Sequence, residues 1–127
     1  MELVVVVAII GILAAIAIPG YNEQVRKTRR GTATVALLEV AQDLERFNTV
    51  NGTYIRDAGA GTNAPLCDRV LEFYTVSCTV LTANTFTLQA VPTNAQVGDR
   101  CGNYTYTQAA QRGLNGQQAG LGIADCW

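Results

Sequence analysis

From Leu3 to Ile18 the chain runs for sixteen residues without a charged or polar side chain, with Glu2 before this run and Pro19-Gly20 after it. Such a run shows neither strand alternation nor a helical stripe, so it offers no polar face to water. As a helix it reaches roughly 24 Å, a little short of the ~30 Å hydrocarbon layer of a bilayer. It reads as an N-terminal anchor. A signal peptide would normally begin basic and end in a small-residue cleavage site, whereas this start is acidic and Pro19-Gly20-Tyr21-Asn22 is a poor site. Proline inside a helix costs about 3 kcal/mol and glycine about 1 kcal/mol. The stretch from Gly11 to Pro19-Gly20 is therefore where this helix would kink or unwind first.

A second pattern follows. From about Thr32 to Phe47, Leu37, Val40, Ala41, Leu44 and Phe47 fall at helical spacing, while Glu39, Asp43, Glu45 and Arg46 lie largely off that stripe. This predicts an amphipathic helix packed on a sheet, stopping near Asn51-Gly52. Residues 57–66, DAGAGTNAPL, read as a loop. EFYTVSCTV and TFTLQAV are rich in aromatic and β-branched residues, and NYTYT alternates, so each predicts a strand. Short links such as Thr82-Ala83-Asn84 favour an antiparallel meander. The glycine-rich QRGLNGQQAGLGIADCW lacks periodicity and reads as a long surface loop.

Composition narrows the chemistry. In 127 residues there are nine Lys+Arg, ten Asp+Glu and no histidine. The balance gives no overall field for nucleic acid or anionic lipid, so any charged site is local. The lack of histidine removes Ser-His-Asp and Cys-His catalysis and histidine metal sites. Four cysteines, Cys67, Cys78, Cys101 and Cys126, are even in number and contain no C-x-x-C pair. That spacing suits two disulfides better than zinc, with three pairings open, and implies an oxidising compartment.

Arg26, Lys27, Arg29 and Arg30 follow the apolar run. The positive-inside rule alone would put this side in the cytoplasm. The cysteines require the opposite and take precedence. The cluster is read as a solvated helix face, with contacts to lipid phosphates or to acids on other chains as the alternative. Glu2 also has two readings. The helix dipole favours an acid at an N-terminus. The other reading is an acid that needs a partner once apolar helices pack together.

The stretch ELVVVVAIIGILAAIAIPGY resembles the N-terminus of type IV pilins, and CGNYTYTQAAQRG and ADCW resemble the disulfide-bounded tail of that family, its minor-pilin branch in particular. The family's basic leader and the residues before its glutamate have no counterpart here, so its mature N-terminus, usually a methylated phenylalanine, falls on no residue of this sequence. The resemblance implies an α+β type IV pilin fold: a long N-terminal helix packed against a small antiparallel sheet, with a disulfide-bounded C-terminal loop. It implies two parts, residues 1–25 as membrane anchor and later filament core, and residues 26–127 as a periplasmic or extracellular head. Glu2 would set register by meeting a neighbour's N-terminal amine, and Gly11, Pro19 and Gly20 would mark the segment that melts on assembly. The resemblance favours a Cys101–Cys126 bridge, with Cys67–Cys78 as the other pair. Closing the tail loop would contribute roughly 3 kcal/mol in the chain-entropy model.

Expected partners are copies of the same subunit in a helical filament, the inner membrane before assembly, and the pilus assembly machinery. The expected role is structural, in motility, adhesion or DNA uptake, on the bacterial surface, with a minor or tip pilin as the alternative. No enzyme, metal site or cofactor is expected. Asp43, Glu45, Asp57, Asp68 and Glu72 form no partner pattern. Asn51-Gly52-Thr53 and Asn103-Tyr104-Thr105 match the N-glycosylation pattern, which is a weak signal. Arg100, Arg112, Tyr104 and Tyr106 offer a basic and aromatic surface for DNA. Strand tyrosines usually pack and scattered arginines are usually solvated, so nucleic acid ranks behind assembly.

Overall fold

One helix, α1 (Glu2–Asn51), carries both the apolar run and the amphipathic stripe without interruption. At ~1.5 Å per residue its 50 residues extend about 75 Å. The computed structural model describes residues 1–56 and 64–127. Asp57 and most of the loop expected over residues 57–66 lie outside the described residues. Within α1 the backbone stays helical through Gly11, Pro19 and Gly20. Pro19 has no N–H to give the Ala15 carbonyl, so the ladder lacks one bond in the stretch expected to be weakest. The helix ends at Gly52, whose φ of 71° is left-handed and whose N–H donates to Asn48 O at 2.7 Å. Glycine adopts that conformation without a Cβ penalty.

A short helical turn, α2 (Ala64–Cys67), leads into a five-stranded antiparallel sheet. The strands are β1 (Arg69–Val70), β2 (Tyr74–Leu81), β3 (Phe86–Pro92), β4 (Asn103–Thr107) and β5 (Arg112–Asn115), paired in sequence order. β2 starts after Glu72 and Phe73, later than EFYTVSCTV suggested. The tight turn between β2 and β3 is closed by Thr82 N–H donating to Thr85 O at 2.8 Å. Period-two alternation sends Tyr74 and Val76 of β2, and Phe86, Leu88 and Ala90 of β3, to one face. A register shift between Cys78 and Val80 interrupts the pattern on β2.

That face meets Ala33, Ala36, Leu37, Val40, Ala41 and Leu44 of α1, all buried. Three alanines in the stripe let the helix axis approach the sheet closely, while Leu37 and Leu44 fill between strands. Tyr54, after the helix, sets its ring edge-on to Phe86 at 5.0 Å.

The tail departs from the expected loop. Gln111–Gly116 turns back so that Arg112–Asn115 pairs with β4, and Ile123–Cys126 forms a helical turn, α3. The strand was missed because Arg-Gly-Leu-Asn has neither β-branched residues nor a full alternation, and only tertiary pairing selects it. Cys67–Cys78 and Cys101–Cys126 are bonded, with Cα separations of 5.3 and 5.8 Å. Gly102 is fixed by crowding as well as by its φ of 63°: a Cβ there would stand 2.5 Å from Asn115 O.

Candidate functional site

The large apolar side chains of the first half of α1, from Leu3 to Ile18, are all exposed. By length and composition α1 is long and apolar enough to cross a membrane. Glu2 sits in its first turn. An exposed surface this apolar marks a contact face for lipid or for other chains.

The rod joins the head through a buried ionic cluster. Arg30, on α1 just before the core stripe, donates from Nε to Asp99 Oδ2 at 2.8 Å and from Nη2 to Asp99 Oδ1 at 2.5 Å. Its Nη1 donates to Glu23 Oε1 at 2.9 Å. The side chains of Arg30 and Asp99 are 4% and 0% exposed. The Asp99 hydrogen bonds raise the Arg30 pKa further above its ordinary value, burial opposes them, and Glu23 adds to them. Glu23 also takes Arg100 at 3.1 Å. Beside this pair, Gln96 Nε2 donates to the Arg26 carbonyl at 3.3 Å. The 3₁₀ turn Asn94–Gln96 and the link to β4 are thereby tied to the base of the head on α1.

Two tyrosines close the cluster. Burial pushes the Tyr74 hydroxyl up to about 12; the neighbouring Gln96 side chain works against that shift, while the geometry falls short of a hydrogen bond. Tyr104 is raised as well, chiefly by burial, and its hydroxyl donates to Cys126 O at 3.1 Å. Tyr54 is shifted upward by burial, with the Glu45 carboxylate that accepts its hydroxyl proton adding to it.

The four basic residues after the rod do not form one solvated face. Arg30 is buried and paired. The Arg29 guanidinium carbon lies 3.8 Å from the Phe73 ring centroid. Arg26 has one nitrogen 3.9 Å from Asp99 Oδ1, and Lys27 is exposed. The expected DNA surface also changes. Tyr104 is fully buried and Arg100 is paired with Glu23, so neither belongs to a free basic and aromatic patch. Arg112 is exposed, with its guanidinium 5.4 Å from the Trp127 ring. Trp127 donates from Nε1 to Gly113 O at 3.1 Å and packs edge-on to Tyr104.

Sequence reasoning passed over Asp99, Glu23 and Trp127. A lone acid inside Gly98-Asp99-Arg100-Cys101 carries no periodic signal, since its partner lies 69 positions earlier in the chain. Among the described residues no cluster of Cys, Asp and Glu is placed to hold a metal ion.

Residues 19–105 match the family model described as type IV minor pilin ComP, DNA uptake sequence receptor. The non-core minor pilin PilV of Neisseria meningitidis superposes with a TM-score of 0.61 at 23% identity, over 74% of this chain and 90% of that one. A type IV pilin of Shewanella oneidensis superposes with a TM-score of 0.57 at 29% identity, over 80% of this chain and 97% of that one. A search of curated proteins returned no match.

Proposed function

The chain belongs to the type IV minor pilin family, and from that premise we propose that it is a filament subunit that enters the pilus through the apolar half of α1. One observation carries this: the large apolar side chains from Leu3 to Ile18 are all exposed on a helix whose other half packs in the core of the head. Residues 1–25 anchor the subunit in the inner membrane and then pack in the filament, and residues 26–127 face outward. Glu2 pairs with a neighbour in the dry bundle, where an unpaired carboxylate is penalised. Gly11, Pro19 and Gly20 are where α1 gives way during packing. The family favours a minority place among other pilins over a filament of this chain alone. Its structural relatives are pilins rather than enzymes.

Intact mass spectrometry of filaments sheared from the native surface tests this. Trace amounts in the filament fraction support the minor-subunit reading, and dominance would make the chain the main subunit. Absence from filaments while the membrane fraction holds it would overturn the proposal. Glu2→Ala is expected to insert in the membrane normally and to enter filaments poorly; normal incorporation would remove the register role.

A second reading, DNA capture, is supported by the description of the matched family and by exposed Arg112 over Trp127. Fluorescence anisotropy of labelled duplex with the detergent-solubilised chain tests it. Affinity should fall with salt and weaken in Arg112→Ala, with the salt slope reduced by about one per lost phosphate contact. Binding that ignores both would exclude Arg112 as the contact.

A further inference from the structure

Arg26 and Arg29 share one face of α1 with Asn22 and Val25, at i, i+3, i+4 and i+7 spacing. With Tyr21 and Ala95 these residues line an open groove of about 510 Å³. Lys27 looks the other way, into a groove shared with Arg30 and Trp127. Among the described residues Arg29 has no ion pair and Arg26 has only a long one. Both oxygens of Asp99 are already held by Arg30, leaving Arg26 a single 3.9 Å approach. Arg29 spends its flat face on Phe73. Stacking of that kind orients the guanidinium and leaves its N–H edges for an oxyanion.

The local charge suits such a ligand. Around the junction five cations, Arg26, Lys27, Arg29, Arg30 and Arg100, meet two acids, Glu23 and Asp99, although the whole chain is net −1. The surplus stays positive when Glu72, which borders the neighbouring groove beside Arg29, and Asp125, which lines the Lys27 groove, are both counted.

Depth is the second condition. Exposed Tyr21 follows the apolar run where an aromatic ring sits at a membrane–water interface. Arg26 and Arg29 stand about 8 and 12 Å farther along α1, while the headgroup layer on one side of a bilayer is roughly 5–8 Å thick. Side chains on a helix lean toward its N-terminus, which here is toward the membrane, and arginine reaches down to keep its charge among phosphates.

We propose that Arg26 and Arg29 form a two-guanidinium site for the phosphate of an anionic phospholipid, occupied while α1 lies in the bilayer and vacated when the subunit leaves it. The inference rests on the membrane-anchored reading of the rod.

The test reconstitutes the full chain, labelled with ¹³C at arginine Cζ, in vesicles of phosphatidylcholine alone or with phosphatidylglycerol added. Solid-state NMR then measures dephasing of the Cζ signals by lipid phosphorus. Dephasing should appear with phosphatidylglycerol, be lost in Arg26→Gln/Arg29→Gln, and survive in Lys27→Gln. Near-UV circular dichroism of Trp127 reports whether the double variant keeps its head folded. If it does not, Arg26→Gln, which spares the Arg29–Phe73 stack, must still lose the Arg26 share of the signal. Dephasing that persists in the double variant, or is equally lost in Lys27→Gln, overturns the site. A double variant with unchanged dephasing and defective filaments would assign the pair to a neighbouring subunit instead. Vesicle flotation separates the premise: a chain that does not insert overturns the anchored reading, and one that inserts without contact overturns this site alone.

Discussion

Replacing Asp99 with asparagine keeps the shape of the side chain and removes the charge that holds Arg30. Arg30 would then be a buried cation with one remaining acid, the half-exposed Glu23. Breaking a buried ion pair by removing one partner costs about 3–5 kcal/mol. Glu23 keeps one bond, so the lower end applies, about 3 kcal/mol. For a head of this size each kcal/mol moves the melting point by ~4–8 °C, which gives a fall of roughly 12–24 °C. Calorimetry of the detergent-solubilised chain, under non-reducing conditions, reads this directly. The companion variant, Arg30→Met with Asp99→Leu, removes both charges and should recover most of the loss, because an apolar pair avoids the desolvation cost. Asp99→Asn melting within a few degrees of the native chain would refute the assignment. A double variant as unstable as the single one would show that packing, rather than stranded charge, is responsible.

Three further outcomes are expected. Cys126→Ser should lower stability by roughly 3 kcal/mol, since the bridge closes the loop from Cys101 around β5 and α3; unchanged non-reducing melting would show the bridge to be unimportant. Gly102→Ala should cost well over 1 kcal/mol, because its φ is left-handed and the Cβ would meet Asn115 O at 2.5 Å; near-native chemical denaturation would contradict that crowding. Tyr74 is raised from about 10 to about 12, so the native state keeps its proton where the unfolded chain has lost it. Its contribution is therefore intact below pH ~10 and is lost between pH ~10 and ~12, at about 1.4 kcal/mol per pH unit. Tyr74→Phe should make that alkaline limb shallower in pH-dependent melting, with buried Tyr104 supplying what remains, and an unaltered limb would assign it elsewhere.

Local pattern carried much of this fold. The sixteen-residue apolar run and the Leu37–Leu44 stripe are repeats within a few turns, and the Asn51-Gly52 stop is a dipeptide signal. β5 was illegible because its Gly-Leu-Asn sequence has no strand preference until β4 offers an edge. The ionic cluster was half legible: Arg30 was visible as one of four cations. Its separation from Arg26, Lys27 and Arg29 depends on Asp99, which arrives on the link between β3 and β4, 69 positions later in the chain. Tyr104 shows the same limit in reverse, since alternation in NYTYT fixes which residues share a face and leaves open which face is inward.

The continuity of α1 has a mechanical consequence. A pull on the apolar end travels up a single helix whose hydrogen bonds lie parallel to the load. The sheet hangs beside that line, fastened by side-chain packing and by the Arg30–Asp99 pair, so its ladders are not stretched. Load that reaches the weak stretch from Gly11 to Gly20 can be absorbed by uncoiling it, since extended chain covers about twice the distance per residue. The rod would then lengthen like a spring in series with a head that stays folded.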